Sequence, residues 1–122
     1  MCTRDQLSVR ALRGGAGLGV ETALLIITNT STGTCRLRGY PQVQLLRNGQ
    51  NLGAPSTHGS KPTQVVTLHS GGNAQVRLTA TTRCQAPLSD RVRVRLPDVS
   101  GAFSTRLELR GCTLRTGAVE GA

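Results

Sequence analysis

Apolar residues recur at every second position along this chain far more often than at helical spacing, which predicts strands. Gln6-Leu7-Ser8-Val9-Arg10-Ala11 alternates and predicts a first strand, and the glycines at 14, 15, 17 and 19 predict a loop after it. Val20 to Asn29 is the strongest strand signal; its Leu24-Leu25-Ile26-Ile27 run predicts a strand central in its sheet or covered on both faces. Asn29 to Thr34 is a polar turn. A strand is expected within Cys35 to Arg47, with Val43 and Leu45 on one face. Asn48-Gly49 is a hairpin signal, because both residues tolerate positive φ. Gly53 to Lys61 reads as a long polar loop, Val65 to Leu68 as a short strand, and Ser70 to Asn73 as a turn.

Ala74, Val76 and Leu78 then alternate with Gln75, Arg77 and Thr79. After a loop at Pro87, Val92, Val94 and Leu96 are expected to face inward, with Arg91, Arg93 and Arg95 outward. Pro97 and Gly101 bound the next turn. Phe103, Leu107 and Leu109 define a further strand with Arg106, Glu108 and Arg110 on its other face, and Cys112 to Arg115 extends the sheet. Gly117 to Ala122 is expected to be a flexible C-terminal tail. The sum is about seven short strands with turn signals roughly every ten residues, the pattern of an all-β, two-sheet antiparallel sandwich. There is no repeat and no helical window of useful length. Residues 1–116 are expected to form a single domain.

Composition sharpens this picture. Among 122 residues the only aromatics are Tyr40 and Phe103, and there is no tryptophan. The core must therefore be aliphatic, and each such side chain buries less area than a ring. Cross-links would compensate. The four cysteines, Cys2, Cys35, Cys84 and Cys112, are widely spaced, which points to disulfides. Zinc would favour close Cys-x-x-Cys pairs, and none is present; free buried thiols are the other alternative. Of three possible connectivities, Cys2–Cys35 and Cys84–Cys112 are favoured, each worth roughly 3–4 kcal/mol by loop-closure entropy. Paired cysteines imply an oxidising compartment and hence a secreted or envelope protein. Met1 leads directly into Cys2, so an export signal is expected to have been removed. In a rival reading Cys2 is the acylated cysteine of a lipoprotein. No apolar run is long enough for a membrane helix.

The formal net charge is +9, and Lys61 is the only lysine among fifteen basic residues. Catalytic chemistry is not legible. His58 and His69 each lie in polar surroundings beside a loop or turn; no Gly-x-Ser-x-Gly elbow occurs, and the six acids are scattered without a close pair. Gly14 to Gly19 does not fit Gly-x-Gly-x-x-Gly. No catalytic residue, metal site or cofactor is therefore expected. Asn29-Thr30-Ser31 is a formal glycosylation sequon.

Asn29-Thr30, Cys35-Arg-Leu37-Arg-Gly39-Tyr40-Pro41, Leu68-His-Ser-Gly71-Gly72-Asn-Ala74, Cys84, Leu96-Pro97 and Cys112 together resemble the secreted actinobacterial domain of unknown function 4232. The Cys-x-Leu-x-Gly-Tyr-Pro segment is the most specific part. The resemblance implies an immunoglobulin-like sandwich on exported or lipid-anchored envelope proteins, and supplies no catalytic residues. In the residues themselves, Gly39 permits a bend, Tyr40-Pro41 is a dipeptide prone to cis geometry, and Tyr40 reads as a half-buried ring.

The sharpest functional signal is an arginine stripe. Period two puts Arg91, Arg93 and Arg95 on one sheet face, and Arg106 and Arg110 on one face of another strand; Arg77 is a candidate from a third. Tyr40 is a further candidate contact. Such a face presents several guanidinium forks to phosphate or uronate groups. The leading expectation is a non-enzymatic, monomeric binding module that contacts anionic cell-wall polymer or an envelope protein. Specific nucleic-acid binding is disfavoured, since no aromatics interleave the arginines. The alternatives are a solvated face of an arginine-biased protein and an accessory extracellular domain without a ligand.

Overall fold

The computed structural model describes every residue from Met1 to Ala122. After one 3-10 turn at Arg4–Gln6, the chain forms only strands. They are β1 (Leu7–Gly17), β2 (Val20–Asn29), β3 (Cys35–Leu37), β4 (Gln42–Arg47), β5 (Gln50–Asn51), β6 (Thr57–His58), β7 (Val66–Leu68), β8 (Asn73–Thr81), β9 (Arg91–Arg95), β10 (Phe103–Arg106), β11 (Thr113–Thr116) and β12 (Glu120–Gly121). Seven of the twelve are four residues or longer; six of these coincide with strands read from the alternation, the seventh is β11, expected only as an extension of the sheet, and the expected short strand at Val65–Leu68 is the three-residue β7. The larger sheet runs β1-β2-β8-β11-β6, with β12 also on β8; the second runs β10-β9-β4-β5; β3 and β7 form a short ribbon. Neighbours are antiparallel except β11 and β6, which run parallel.

Both large sheets turn their inner rows toward one cluster of 23 buried residues. Ala23, Leu25, Ile27, Val76, Leu78 and Ala80 come from the first sheet. Val43, Leu45, Val92, Val94 and Phe103 come from the second. The result is a sandwich-like all-β domain. β2 lies between β1 and β8, so its apolar run is flanked on both edges and Leu25 and Ile27 are wholly buried.

Both disulfides form in the favoured pairing, Cys2–Cys35 and Cys84–Cys112, with sequence separations of 33 and 28. Such bonds suggest an oxidising, extracellular environment. With its sulfur bonded to Cys35, Cys2 is not available for acylation.

Several local expectations are corrected. Gly14, Gly15 and Gly17 do not form a loop: they extend β1, whose register shifts between Arg13 and Ala16. Glycine is needed at position 14, where a β-carbon would lie 2.5 Å from the Thr22 hydroxyl. The segment from Cys35 to Arg47 is two strands in different sheets, and the crossing is made at Gly39, where φ is 93°. The Tyr40–Pro41 peptide is trans. Two residues of the long polar loop, Thr57 and His58, pair with β11. Leu107 and Leu109 are buried but lie beyond β10.

The expected C-terminal tail is also tied down. Gly117 donates its N–H to Arg77, Val119 donates to Gly39, and Glu120–Gly121 pairs with β8. Val119 joins the core at 3% exposure, which anchors the segment.

Asn29 is the main buried polar joint. It is fully buried; its Nδ2 donates to the carbonyls of Gly33 and Leu68, and its Oδ1 accepts from the Ser31 N–H and hydroxyl. Its backbone N–H and C=O are engaged by Gly72 and Gly71. The sequon amide is thus sealed inside the fold, where it cannot accept a glycan.

Two predictions follow from these joints. Replacing Cys2 and Cys35 together by serine should lower stability by about 3–4 kcal/mol, read as a drop of roughly 10–20 °C in the melting temperature by circular dichroism. Asn29→Ala should cost about 3 kcal/mol, because it removes the amide's bonds to the buried Leu68 carbonyl, to the Gly33 carbonyl and to the Ser31 N–H, and chemical denaturation should register this as a lower midpoint at unchanged slope.

Candidate anion-binding face

β9 alternates Arg-Val-Arg-Val-Arg, and its neighbours fix what stands beside each arginine. Arg91 is the cross-strand partner of Arg106 on β10; Arg93 stands between Ser104 and Gln44; Arg95 faces Gln42 on β4. Cross-strand partners share a face, so Arg91, Arg93, Arg95 and Arg106 all point outward from the second sheet. Valines 92 and 94 point inward at 0% exposure and hold the strand in that register.

Few contacts engage the guanidinium groups. Arg91 donates from Nε to the Ser104 hydroxyl at 3.0 Å and from Nη2 to the Ser104 carbonyl at 3.4 Å. Arg93 donates from Nη2 to Asn51 Oδ1 at 3.2 Å. None of the four meets a carboxylate: the only ion pairs are Arg13–Glu21 at 2.8 Å and Arg38–Asp98 at 3.8 Å. Beside Arg93 and Arg95 lies a cleft of about 150 Å³, completed by Gln42, Gln44, Asn51 and Pro55. Gln44 is buried there and rigid, its Nε2 donating to the carbonyls of Leu45, Leu52 and Gly53. Sequence reasoning missed these amides, because glutamine at an alternating position reads as ordinary surface.

Two arginines of the expected stripe lie elsewhere. Arg77 is on β8, in the opposite sheet, beside Leu24 of β2. Arg110 lies past the end of β10, bridges to Leu88, and donates from Nη1 to the Ala86 carbonyl at 3.2 Å. Tyr40 is engaged outside the stripe. Its ring stacks on His58 with centroids 4.4 Å apart, and its hydroxyl donates to the Lys61 carbonyl at 3.2 Å.

One buried acid is fully occupied. Glu21 accepts from Arg13 at 2.8 Å and from the Arg110 backbone N–H at 3.2 Å. Its place is structural, since those bonds tie β2 to both the first strand and the Leu109–Gly111 segment. No group of three or more His, Cys, Asp or Glu side chains comes together anywhere in the fold. No helix is long and apolar enough to cross a membrane.

Residues 2–120 match the model of the family described as a domain of unknown function, DUF4232. This chain belongs to that family. No curated protein and no solved structure matches it. The Cys-x-Leu-x-Gly-Tyr-Pro segment that carried the resemblance is, in this DUF4232 domain, a disulfide, an edge strand and the crossing between sheets.

Glu21→Ala should lower stability by about 2 kcal/mol in a denaturant titration, by orphaning a backbone N–H and the Arg13 fork. It should leave any property of the Arg93 face unchanged, because the two sites share no contact.

Proposed function

We propose that this domain is an exported, non-enzymatic binding module of the cell envelope that holds anionic polymer on the outer face of its second sheet. The observation that carries this reading is the group Arg91, Arg93, Arg95 and Arg106, which lies on one face without a single carboxylate partner. Four guanidinium groups left unneutralised repel one another, and a bound anion relieves that repulsion. Two disulfides support an extracellular setting.

The spacing favours a chain over a small ion. Alternate residues of a strand recur roughly every 7 Å, so Arg91, Arg93 and Arg95 form a straight row of charges. A linear polymer with regularly spaced phosphates or uronates engages several positions of such a row, whereas an isolated anion engages one or two. Gln42 and Asn51 beside the row offer donors and acceptors for hydroxyl groups.

Purified cell wall should retain the protein at low salt and release it as ionic strength approaches physiological values, where the screening length falls to about 8 Å. An Arg93→Glu/Arg95→Glu double variant should lose at least about tenfold of that retention. Arg77→Glu, which changes the same charge on the opposite sheet, should lose far less. Equal retention by all three proteins, or none at low salt, would refute the assignment.

A further inference from the structure

Two hairpins in this fold close with the same two-residue turn, and only one of them has the residues that such a turn prefers. Asn48-Gly49 joins β4 to β5 with φ of 50° and 78°. Leu18-Gly19 joins β1 to β2 with φ of 54° and 79°. Asparagine tolerates the left-handed conformation at the first position; leucine, with a bulky side chain, does so at an energetic cost. No packing offsets that cost, because Leu18 is 97% exposed, the most exposed of the large apolar residues. A rule of local structure is thus broken without a gain in the folded domain, which is the mark of a residue kept for contact with something else.

The surroundings define that contact. Gly17 and Gly19 flank Leu18, so it projects with no neighbouring side chain beside it in sequence. The turn is held against the loop that follows β8: Thr82 donates its N–H to Gly19, and the Arg83 side chain lies against Gly19. The same loop receives two further guanidinium groups, Arg47 at the Leu88 carbonyl and Arg110 at the Ala86 carbonyl. Arg13 completes the set at this end of the sandwich, and Glu21, buried beneath it, is its counter-charge. An apolar tip set among basic side chains is complementary to a surface with an apolar interior and an anionic rim.

We propose that the Leu18 hairpin tip inserts into an anionic lipid surface, with Arg83, Arg47 and Arg110 lying at the headgroups. A convex protrusion between glycines needs a deformable apolar medium, and the basic surround fits anionic headgroups. This surface is separate from the Arg93 face, so its fate does not hang on the polymer reading.

The absence of tryptophan makes the test direct. In Leu18→Trp the only indole sits at the tip. Its emission should shift to the blue with vesicles of phosphatidylcholine mixed with phosphatidylglycerol, and stay unshifted with phosphatidylcholine alone. In sedimentation with the mixed vesicles, Leu18→Gly should bind about tenfold more weakly than the parent protein. Glycine removes the conformational cost at φ 54°, so this variant should melt no lower, and its loss of binding cannot come from unfolding. Undiminished binding by Leu18→Gly, an unshifted indole, equal binding to both vesicle types, or binding to neither would overturn the proposal.

Discussion

The interior of this domain contains one aromatic ring, Phe103, and the remainder must be filled with short, mostly branched chains. Leucine, valine, isoleucine and alanine close a space between two sheets only if every inward position is used. The inner rows obey that demand: Ala23, Leu25 and Ile27 on β2, Ala74, Val76, Leu78 and Ala80 on β8, and Val92 and Val94 on β9 are buried almost without exposure. Strict alternation is therefore what makes the core dense enough. It also fixes the outer face, because a strand held in register by its inner valines has no freedom over where its arginines point. The disulfides and the Asn29 joint tie down the ends of this packing, where an aliphatic core alone holds least.

That dependence explains what was legible in the sequence. Parity within a strand survives into the structure wherever both faces carry contrasting residues, as in Arg91–Arg95 and Asn73–Thr81. Parity does not say which sheet a strand joins. Arg77 has the same alternation as Arg93 and lies on the opposite side of the sandwich, because β8 pairs with β2 and β9 with β4. Arg110 keeps the alternation of the strand before it, but β10 ends at Arg106 and the chain leaves the sheet. Glycine misled in a different way. At Gly14 it serves close strand packing and at Gly39 a change of sheet, whereas Gly19, Gly49 and Gly71 do sit in turns. The last residues read as a tail because a lone valine carries no period, yet burial of Val119 is enough to dock them.

The charge distribution follows from the same architecture. Fifteen basic residues share two ion pairs, and one of those, Arg38–Asp98, is half exposed on both sides and adds little. The acids are spent on structure or left apart: Glu21 binds β1 and the Arg110 backbone, and Asp90 accepts the Asn48 N–H at the turn after β4. The uncompensated charge is then available to partners, and the sheets sort it into separate regions. One is the flat row on β9 and β10; another is the end of the sandwich around residues 82–90.

The segment of residues 82–90 joins these two regions, running from Thr82 at the Leu18-Gly19 turn to Asp90 at the start of β9. Arg91 begins β9 immediately after Asp90, so the arginine row starts where that segment ends. The row cannot reorient without breaking the β4–β9–β10 register that buries Val92 and Val94, whereas the Leu18 turn is held separately, through the β1–β2 pairing and the Thr82 N–H.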